Sequence, residues 1–255
     1  MLISIVNVSR GALGDEDLQQ VIRAINRQIA GDFEPYWSFG ATLRLEGAAG
    51  VRPRRNTLPE MRGDALIYVW DKIDVEDALG YHDRNNNGIP FGIVSLNECR
   101  KAGDSWTATL SHEALELLGD PEGNLLVRGP HPGDRRRTVF HWFEMCDAVQ
   151  GETYAIDGID LSNFVLPSYF ARGDAPGARN DFLGRPYEGM VLPAFGINPG
   201  GYVGFYDPEK KSDTTFAREH DVAARAVIAR KDRARLGRGW RRKHGNSGNR
   251  TRIAR

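Results

Sequence analysis

The chain has 255 residues, of which 40% are hydrophobic and 27% charged, a composition typical of a globular protein with an ordinary core. With only two cysteines, the chain cannot carry the disulfide framework of a small secreted domain, and this cysteine usage favours a reducing compartment. No apolar run approaches the length of a membrane span, and the apolar N-terminus lacks the basic start of a signal peptide. We therefore expect a cytoplasmic or virion-associated protein with no signal peptide, no transmembrane segment and no membrane partner.

The formal net charge of zero conceals an uneven distribution along the chain. Residues 217–255 contain thirteen basic and three acidic residues and so carry a net charge of +10, which leaves −10 for residues 1–216. This charge distribution is informative about what the protein binds, and it does not help to predict the fold. We predict a tail over 208–255 that is partly helical at 217–235, disordered from Gly237, and binds nucleic acid or an acidic protein surface. The alternative is a tail that only improves solubility.

The spacing of apolar residues predicts a β-α-β-β-β-α order in the first half of the chain. The predicted elements are, in chain order, a strand at 2–8, a helix at about 15–31, strands at 35–46, 64–71 and 89–96, and a helix at 105–119. Pro90 and Gly92 favour an edge position for the strand at 89–96. We expect an α/β (α+β) fold with a mixed sheet, forming one domain over 1–207 whose C-terminal part, 122–207, is irregular with short strands.

The helix at 105–119 carries an unusual set of polar residues. His112, Glu116 and Asp120 are spaced i, i+4 and i+8, so they lie on one face of the helix. His112 and Glu116 can therefore reach one metal ion, and Glu113 can take a proton from water bound to that ion. The motif is His-Glu-x-x-Glu, where a zinc peptidase usually has His-Glu-x-x-His. The alternative interpretation is a solvated polar face on an otherwise apolar helix.

A metal site on this helix needs a third ligand from elsewhere in the chain. The best candidates are Glu144 and Asp147, three residues apart in a run with aromatic and apolar neighbours. These two acids could instead cap a loop or pair with the arginines at 135–137. Weaker candidates for the third ligand are Asp120, Cys146, His82 and Asp83.

Four segments together resemble a known group of proteins. They are Ser-His-Glu-Ala-Leu-Glu-Leu-Leu-Gly-Asp-Pro at 111–121, Glu-Met-Cys-Asp at 144–147, Leu-Ser-Asn-Phe-Val-Leu-Pro-Ser-Tyr-Phe at 161–170, and Gly-Gly-Tyr-Val-Gly-Phe-Tyr-Asp-Pro at 200–208. With the predicted element order, they resemble the zincin fold of metallopeptidases and, more narrowly, a group of bacterial and phage proteins described as zinc-peptidase-like. The resemblance spans about residues 60–207.

The resemblance implies a hydrolase. His112 would be a metal ligand, Glu113 the general base, and Glu116 would replace the second histidine of the zincin motif. The expected function is a metal-dependent peptidase or amide hydrolase with one divalent metal, zinc first, although a carboxylate-rich ligand set also suits Mn²⁺, Mg²⁺ or Ca²⁺. A peptide substrate would then pair with the strand at 89–96 by β-addition. The rival expectation is a non-catalytic, virion-associated structural protein on a degenerate zincin scaffold.

Overall fold

The computed structural model describes residues 1–46, 63–71, 79–84, 88–171, 173, 177–218, 220–233 and 252–254. The strands are β1 (Leu2–Val8), β2 (Thr42–Glu46), β3 (Ala65–Trp70), β4 (Gly80–Arg84), β5 (Pro90–Ser95), β6 (Leu125–His131), β7 (Asp134–Trp142), β8 (Thr153–Ile156), β9 (Ile159–Ser162), β10 (Tyr202–Asp207), β11 (Ser212–Ala217) and β12 (Arg252–Ala254). The α-helices are α1 (Asp15–Gln28), α2 (Glu34–Trp37), α3 (Leu96–Ala102), α4 (Trp106–Gly119) and α5 (Val222–Arg233). Among the described residues, no helix is long and apolar enough to cross a bilayer.

The chain forms two compact units. The first comprises Met1–Gly123 with Thr153–Ser162, and the second comprises Asn124–Glu152 with Asn163–Arg255. The domain boundary predicted at 207/208 falls in the turn between β10 and β11, which pair with each other as antiparallel strands.

The first unit is built on a five-stranded sheet with the order β2-β1-β3-β5-β4. The strands β2, β1, β3 and β5 are parallel to their neighbours, while β4 runs antiparallel to β5. Helices α1 and α4 pack together with the β8–β9 hairpin through a buried polar contact, in which Ser111 donates to Gln28 over 2.8 Å and accepts from the Ser162 backbone N–H. This mixed sheet with helices confirms the predicted α/β class.

The strands predicted at 2–8 and 64–71 and the helix predicted at 105–119 are confirmed within a residue or two. The first half of the strand predicted at 35–46 is wrong, because a π-helix (Ile29–Phe33) continues α1 directly into α2. Ser38 ends this helical run in the left-handed conformation, with a φ of 60°. The aromatic alternation that predicted a strand instead forms a ring cluster, in which Trp37 and Phe39 pack on the buried Phe33.

The prediction that residues 89–96 form an edge strand is wrong, since β5 lies between β3 and β4. Pro90 is tolerated there because it is the first residue of the strand. At Gly92 a Cβ would lie 3.2 Å from the Ile67 side chain, so close packing on β3 favours glycine. Among the described strands, β4 forms the edge on this side of the sheet. The sequence did not predict β4 because Gly-Tyr-His-Asp-Arg shows no apolar alternation.

The second unit contains the sheet β11-β10-β7-β6-β12, antiparallel except for β12, which pairs parallel to β6. The prediction of irregular structure over 122–207 is wrong for β6 and β7, which pair as an antiparallel hairpin with a register shift between Pro130 and His131. The sequence did not predict β7 because its first four residues, Asp-Arg-Arg-Arg at 134–137, are all polar and show no apolar alternation. The helix predicted at 217–235 is α5, preceded by β11. The prediction of disorder from Gly237 lies outside the described residues, except at 252–254, where the backbone forms β12.

His141 on β7 makes the stability of the second unit sensitive to pH. Its ring packs on Phe195 and Phe205, and its Nε2 lies 2.8 Å from the Pro130 carbonyl oxygen. Burial lowers the pKa of His141 from 6.5 to about 4. Between these values the unfolded chain binds a proton that the folded protein does not, so this contribution to stability is present above pH 6.5 and is lost as the pH falls toward 4.

We therefore expect the free energy of unfolding to fall by up to about 3 kcal/mol over this pH range because of His141 alone. The measurement is urea denaturation of the wild type and His141→Gln at a series of pH values. The His141→Gln variant should be less stable near pH 7 and should show a weaker pH dependence. Parallel stability curves for the two proteins below pH 6.5 would contradict the assignment.

Candidate metal centre

Helix α4 places its polar residues in the interior of the protein. It begins after Ser105, whose hydroxyl accepts from the Ala108 N–H, and ends at Asp120, whose N–H donates to the Glu116 carbonyl over 2.8 Å. Leucines on several sides of the helix are buried, so the helix is surrounded by structure and its polar residues are enclosed with it. His112, Glu113 and Glu116 are exposed by only 7%, 5% and 2%. A solvated polar face is therefore the wrong interpretation of this helix.

Two histidines flank one carboxylate in this interior. His112 Nε2 lies 3.3 Å from Glu116 Oε1, as the i, i+4 spacing predicts. From β4, His82 Nδ1 lies 3.6 Å from Glu116 Oε2 and 3.3 Å from Glu113 Oε2. One ligand atom from each of His82, Glu113 and Glu116 lies within 4.8 Å of the other two. The side chains of β4 and α4 thus form one buried group of two imidazoles and two carboxylates.

The donor set fits a divalent metal ion. The nitrogen and oxygen atoms of the group are 3.3–3.6 Å apart, and the 3.3 Å contact between His82 Nδ1 and Glu113 Oε2 is also within hydrogen-bonding distance. Two donors bound at about 2.1 Å to one tetrahedral ion are roughly 3.4 Å apart. A divalent cation between these side chains would compensate the negative charge of carboxylates held in the interior. These residues could therefore hold a metal ion, and nothing in the donor set selects which metal.

The other predicted ligands are Asp120 in the first unit, and Glu144 and Asp147 in the second. Asp120 is buried at the end of α4, one turn beyond Glu116. In the second unit, Asp147 opens a buried 3-10 helix (Asp147–Val149) and accepts a 2.5 Å hydrogen bond from the Tyr202 hydroxyl. Glu144 is half-buried just before it. The ligand role of Glu144 and Asp147 stays a prediction. Cys146 and Cys99 are both buried free thiols, so they do not form a disulfide.

His82 is the residue that sequence reasoning undervalued. It lies about thirty residues before Glu113, in a segment without a strand pattern, so only the pairing of β4 with β5 places it beside the helix. The available signal was a histidine next to an acid, Gly-Tyr-His-Asp at 80–83, which is common on protein surfaces. Asp83, the other weak candidate from this segment, accepts from the Arg84 N–H on the same strand.

Gly80 allows β4 to lie against the helix at this point. A Cβ there would lie 2.8 Å from Glu113 Oε1 and 2.9 Å from Thr109 Cγ2. Both distances are shorter than a Cβ tolerates, so any larger residue must push the strand or the carboxylate away. The glycine therefore helps to set the distance between His82 and Glu113.

We expect Gly80→Ala to weaken binding of Zn²⁺ about tenfold or more and to lower the free energy of unfolding by about 1–3 kcal/mol, because the added methyl group overpacks the contact with Glu113. Calorimetric titration with Zn²⁺ and thermal denaturation measure the two effects. The matched control is Gly31→Ala, since a Cβ at Gly31 meets no atom within 4 Å. Equal Zn²⁺ affinities for the two variants would contradict a positioning role for Gly80.

No family model, curated protein or solved structure matches this chain. The resemblance to zincins therefore stays a prediction.

Proposed function

We propose that the protein is a metal-dependent peptidase or amide hydrolase. The observation that supports this proposal best is the buried convergence of His112, Glu113 and Glu116 of α4 with His82 of β4. An ion bound by His112 and Glu116 would leave Glu113 beside it, with its Oε2 held 3.3 Å from His82 Nδ1. The third ligand predicted from the sequence, Glu144 or Asp147, belongs to the same proposal.

A divalent ion, when bound, would polarise the scissile carbonyl and make water more acidic. The protein's own residues would handle the protons. The Glu113 carboxylate would take the proton from water and return it to the leaving amine. His82, through Nδ1, would fix the orientation of the Glu113 carboxylate, as partners of a catalytic base commonly do. The burial of these side chains limits competition from bulk water.

The edge of the sheet supports a peptide substrate. Among the described residues β4 is the last strand, and the Ser95 N–H donates to the Leu79 carbonyl just before it. Because antiparallel pairing alternates, the backbone groups of Gly80, His82 and Arg84 point away from β5. An extended peptide pairing with them would run beside His82. This assigns to β4 the alignment that the sequence had predicted for residues 89–96.

A second candidate function follows from the other possible position of the ion. His82, Glu113 and Glu116 form a compact group by themselves, and their side chains are nearly inaccessible. An ion held there would use Glu113 as a ligand and leave no base beside it. Such a closed site is typical of structural metals. The protein would then be a metal-stabilised, non-catalytic scaffold, as the virion-associated alternative requires.

Metal content of two single variants distinguishes the two functions. Purified His112→Ala and His82→Ala are analysed by elemental mass spectrometry after loading with Zn²⁺, with His220→Ala, an exposed histidine, as the control. If the protein is an enzyme, we expect His112→Ala to lose the ion and His82→Ala to retain it. If it is a metal-stabilised scaffold, we expect His82→Ala to lose the ion and His112→Ala to retain it. Absence of metal from the wild type, even after incubation with Zn²⁺ and Mn²⁺, would overturn both.

A further inference from the structure

Two acids of the second unit, Glu152 and Asp181, share one amide group as a hydrogen-bond donor. Asn163 Nδ2 donates to Glu152 Oε2 over 2.7 Å and to Asp181 Oδ2 over 2.9 Å. The Asn163 Oδ1 accepts from the backbone N–H groups of Phe164 and Leu183, which fixes the orientation of the amide. The two carboxylates are therefore held as neighbours, although they lie on segments far apart in the chain.

Asp181 is fully buried, and only one of its two carboxylate oxygens is hydrogen-bonded. Its Oδ2 accepts from the Asn163 side chain and from the Gly184 N–H, over 2.9 Å in each case. Its Oδ1 is enclosed and accepts no hydrogen bond from any described residue. Leaving a buried carboxylate oxygen without a partner is costly, so this oxygen points to a group that the site binds.

The charges of the two acids are not balanced by a neighbouring cation. Among the described residues neither acid forms an ion pair, and the exposed Arg185 acts on Glu152 only at a distance, through its charge. Burial and the nearby charge of Asp181 raise the pKa of the Glu152 carboxyl. A divalent cation between the two carboxylates would compensate both negative charges.

The ligand atoms that these side chains offer are oxygens. Beside Asp181 Oδ1 and the Glu152 carboxylate lies the buried Asn198, whose Nδ2 is 3.4 Å from Glu152 Oε1. A half turn of the Asn198 carboxamide brings its oxygen to the same place. Carboxylate and amide oxygens are the ligands that hard cations prefer, and Ca²⁺ takes about six to eight of them in irregular geometry. Because Glu152 is half-buried, water can reach the site and complete the coordination.

The segment that carries Asp181 has little regular structure to hold it. In the described part of 163–201, regular structure is limited to one short 3-10 helix (Pro167–Phe170) and two isolated β-bridges. Hydrogen bonds from side chains hold the rest, such as that from Asn180 Nδ2 to the Leu192 carbonyl over 2.9 Å. An ion bound by both Glu152 and Asp181 would fasten this segment to the residues that follow the 3-10 helix at Asp147–Val149.

We propose that Glu152, Asp181 and Asn198 form a Ca²⁺ site that stabilises the second unit. Asp181 Oδ1 and the Glu152 carboxylate bind the ion, and the Asn163 amide fixes the orientation of both acids. Mg²⁺ fits less well, because it demands near-ideal octahedral geometry, which irregular loops do not impose. The site uses no residue of α4 or β4, and it does not depend on the proposed hydrolytic function.

Thermal denaturation of the full-length protein, freed of metal with EDTA and then dialysed, tests the proposal. Ca²⁺ at about 5 mM should raise the melting temperature by at least about 3 °C, because an ion that binds only the folded state stabilises it. Asp181→Asn should lose this shift. Without Ca²⁺ its melting temperature should be at least that of the wild type, since the amide keeps the shape of the side chain and removes a buried charge. Glu188→Gln, a change at an exposed acid of the same unit, should keep the full shift.

Two further variants locate the ion. Glu152→Gln should weaken Ca²⁺ binding at least about tenfold in a calorimetric titration, because a charged ligand is lost. Glu116→Ala, which removes a carboxylate of the candidate metal centre, should keep the Ca²⁺ shift, so a failure of one site is distinguishable from a failure of the other. Absence of a Ca²⁺ shift in the wild type, equal shifts in the wild type and Asp181→Asn, unchanged affinity of Glu152→Gln, or loss of the shift in Glu116→Ala would overturn the proposal.

Discussion

Under the proposed hydrolytic function, Glu113→Gln should abolish turnover while the protein keeps the bound metal ion. The amide has the shape of the carboxylate but cannot accept a proton from water, and the loss of a general base lowers rates by about 10²–10⁴. Turnover is followed with a library of quenched fluorescent peptides, and the ion is counted by elemental mass spectrometry. Since Glu113 is buried, the same-shape substitution also keeps its packing against β4.

The control is Glu16→Gln, an exposed acid in the first turn of α1, which should retain full turnover. Loss of the ion together with turnover in Glu113→Gln would identify Glu113 as a ligand and support the scaffold. Retained turnover would remove Glu113 from the mechanism altogether. Turnover and metal content together thus distinguish the loss of a general base from the loss of the metal ion.

Glu116→Ala should remove the ion whichever of the two positions it occupies. The Glu116 carboxylate lies between the imidazoles, with Oε1 toward His112 and Oε2 toward His82, so both possible sites share it. Loss of a hydrogen-bonding partner of a ligand already costs about 10–100-fold in metal affinity, so we expect loss of the ligand itself to cost at least about a hundredfold. Calorimetric titration with Zn²⁺ measures the affinity.

Thermal denaturation gives an independent readout of the same change. A metal ion that binds only the folded state raises the melting temperature as its concentration rises. Zn²⁺ should therefore stabilise the wild type and the control Glu16→Ala, and it should leave the melting temperature of Glu116→Ala unchanged. Equal stabilisation of Glu116→Ala and the wild type would mean that the ion binds elsewhere.

The burial of the cluster bears on the choice between the two functions. Catalysis requires an open coordination position and a path for substrate, whereas a structural site needs neither. The side chains of His82, Glu113 and Glu116 are exposed by only 5%, 7% and 3%. In the proposed hydrolytic function, a peptide would reach these groups from the edge of β4. The comparison of His112→Ala with His82→Ala is therefore the experiment on which the functional assignment depends.

The sequence by itself determined the features that depend on residues close together in the chain. The i, i+4 spacing of His112 and Glu116 brings their side chains together in any α-helix, so that pair was predictable. The β-branched run at 2–8 and the apolar run at 64–71 likewise predict strands from local pattern alone. Together with α4, these elements were sufficient to predict the α/β class.

Only the tertiary structure decided which distant residues join the pair. His82 reaches Glu113 and Glu116 because β4 pairs with β5 and because Gly80 lets that strand approach α4. Because of the same pairing, β5 lies inside the sheet and not at the edge that the sequence predicted for it. Strand order and close approach depend on packing between segments far apart in sequence, whereas periodicity records only which face of each segment is apolar. The periodicity of apolar residues could therefore predict neither that β4 forms an edge of the sheet nor that His82 joins the cluster.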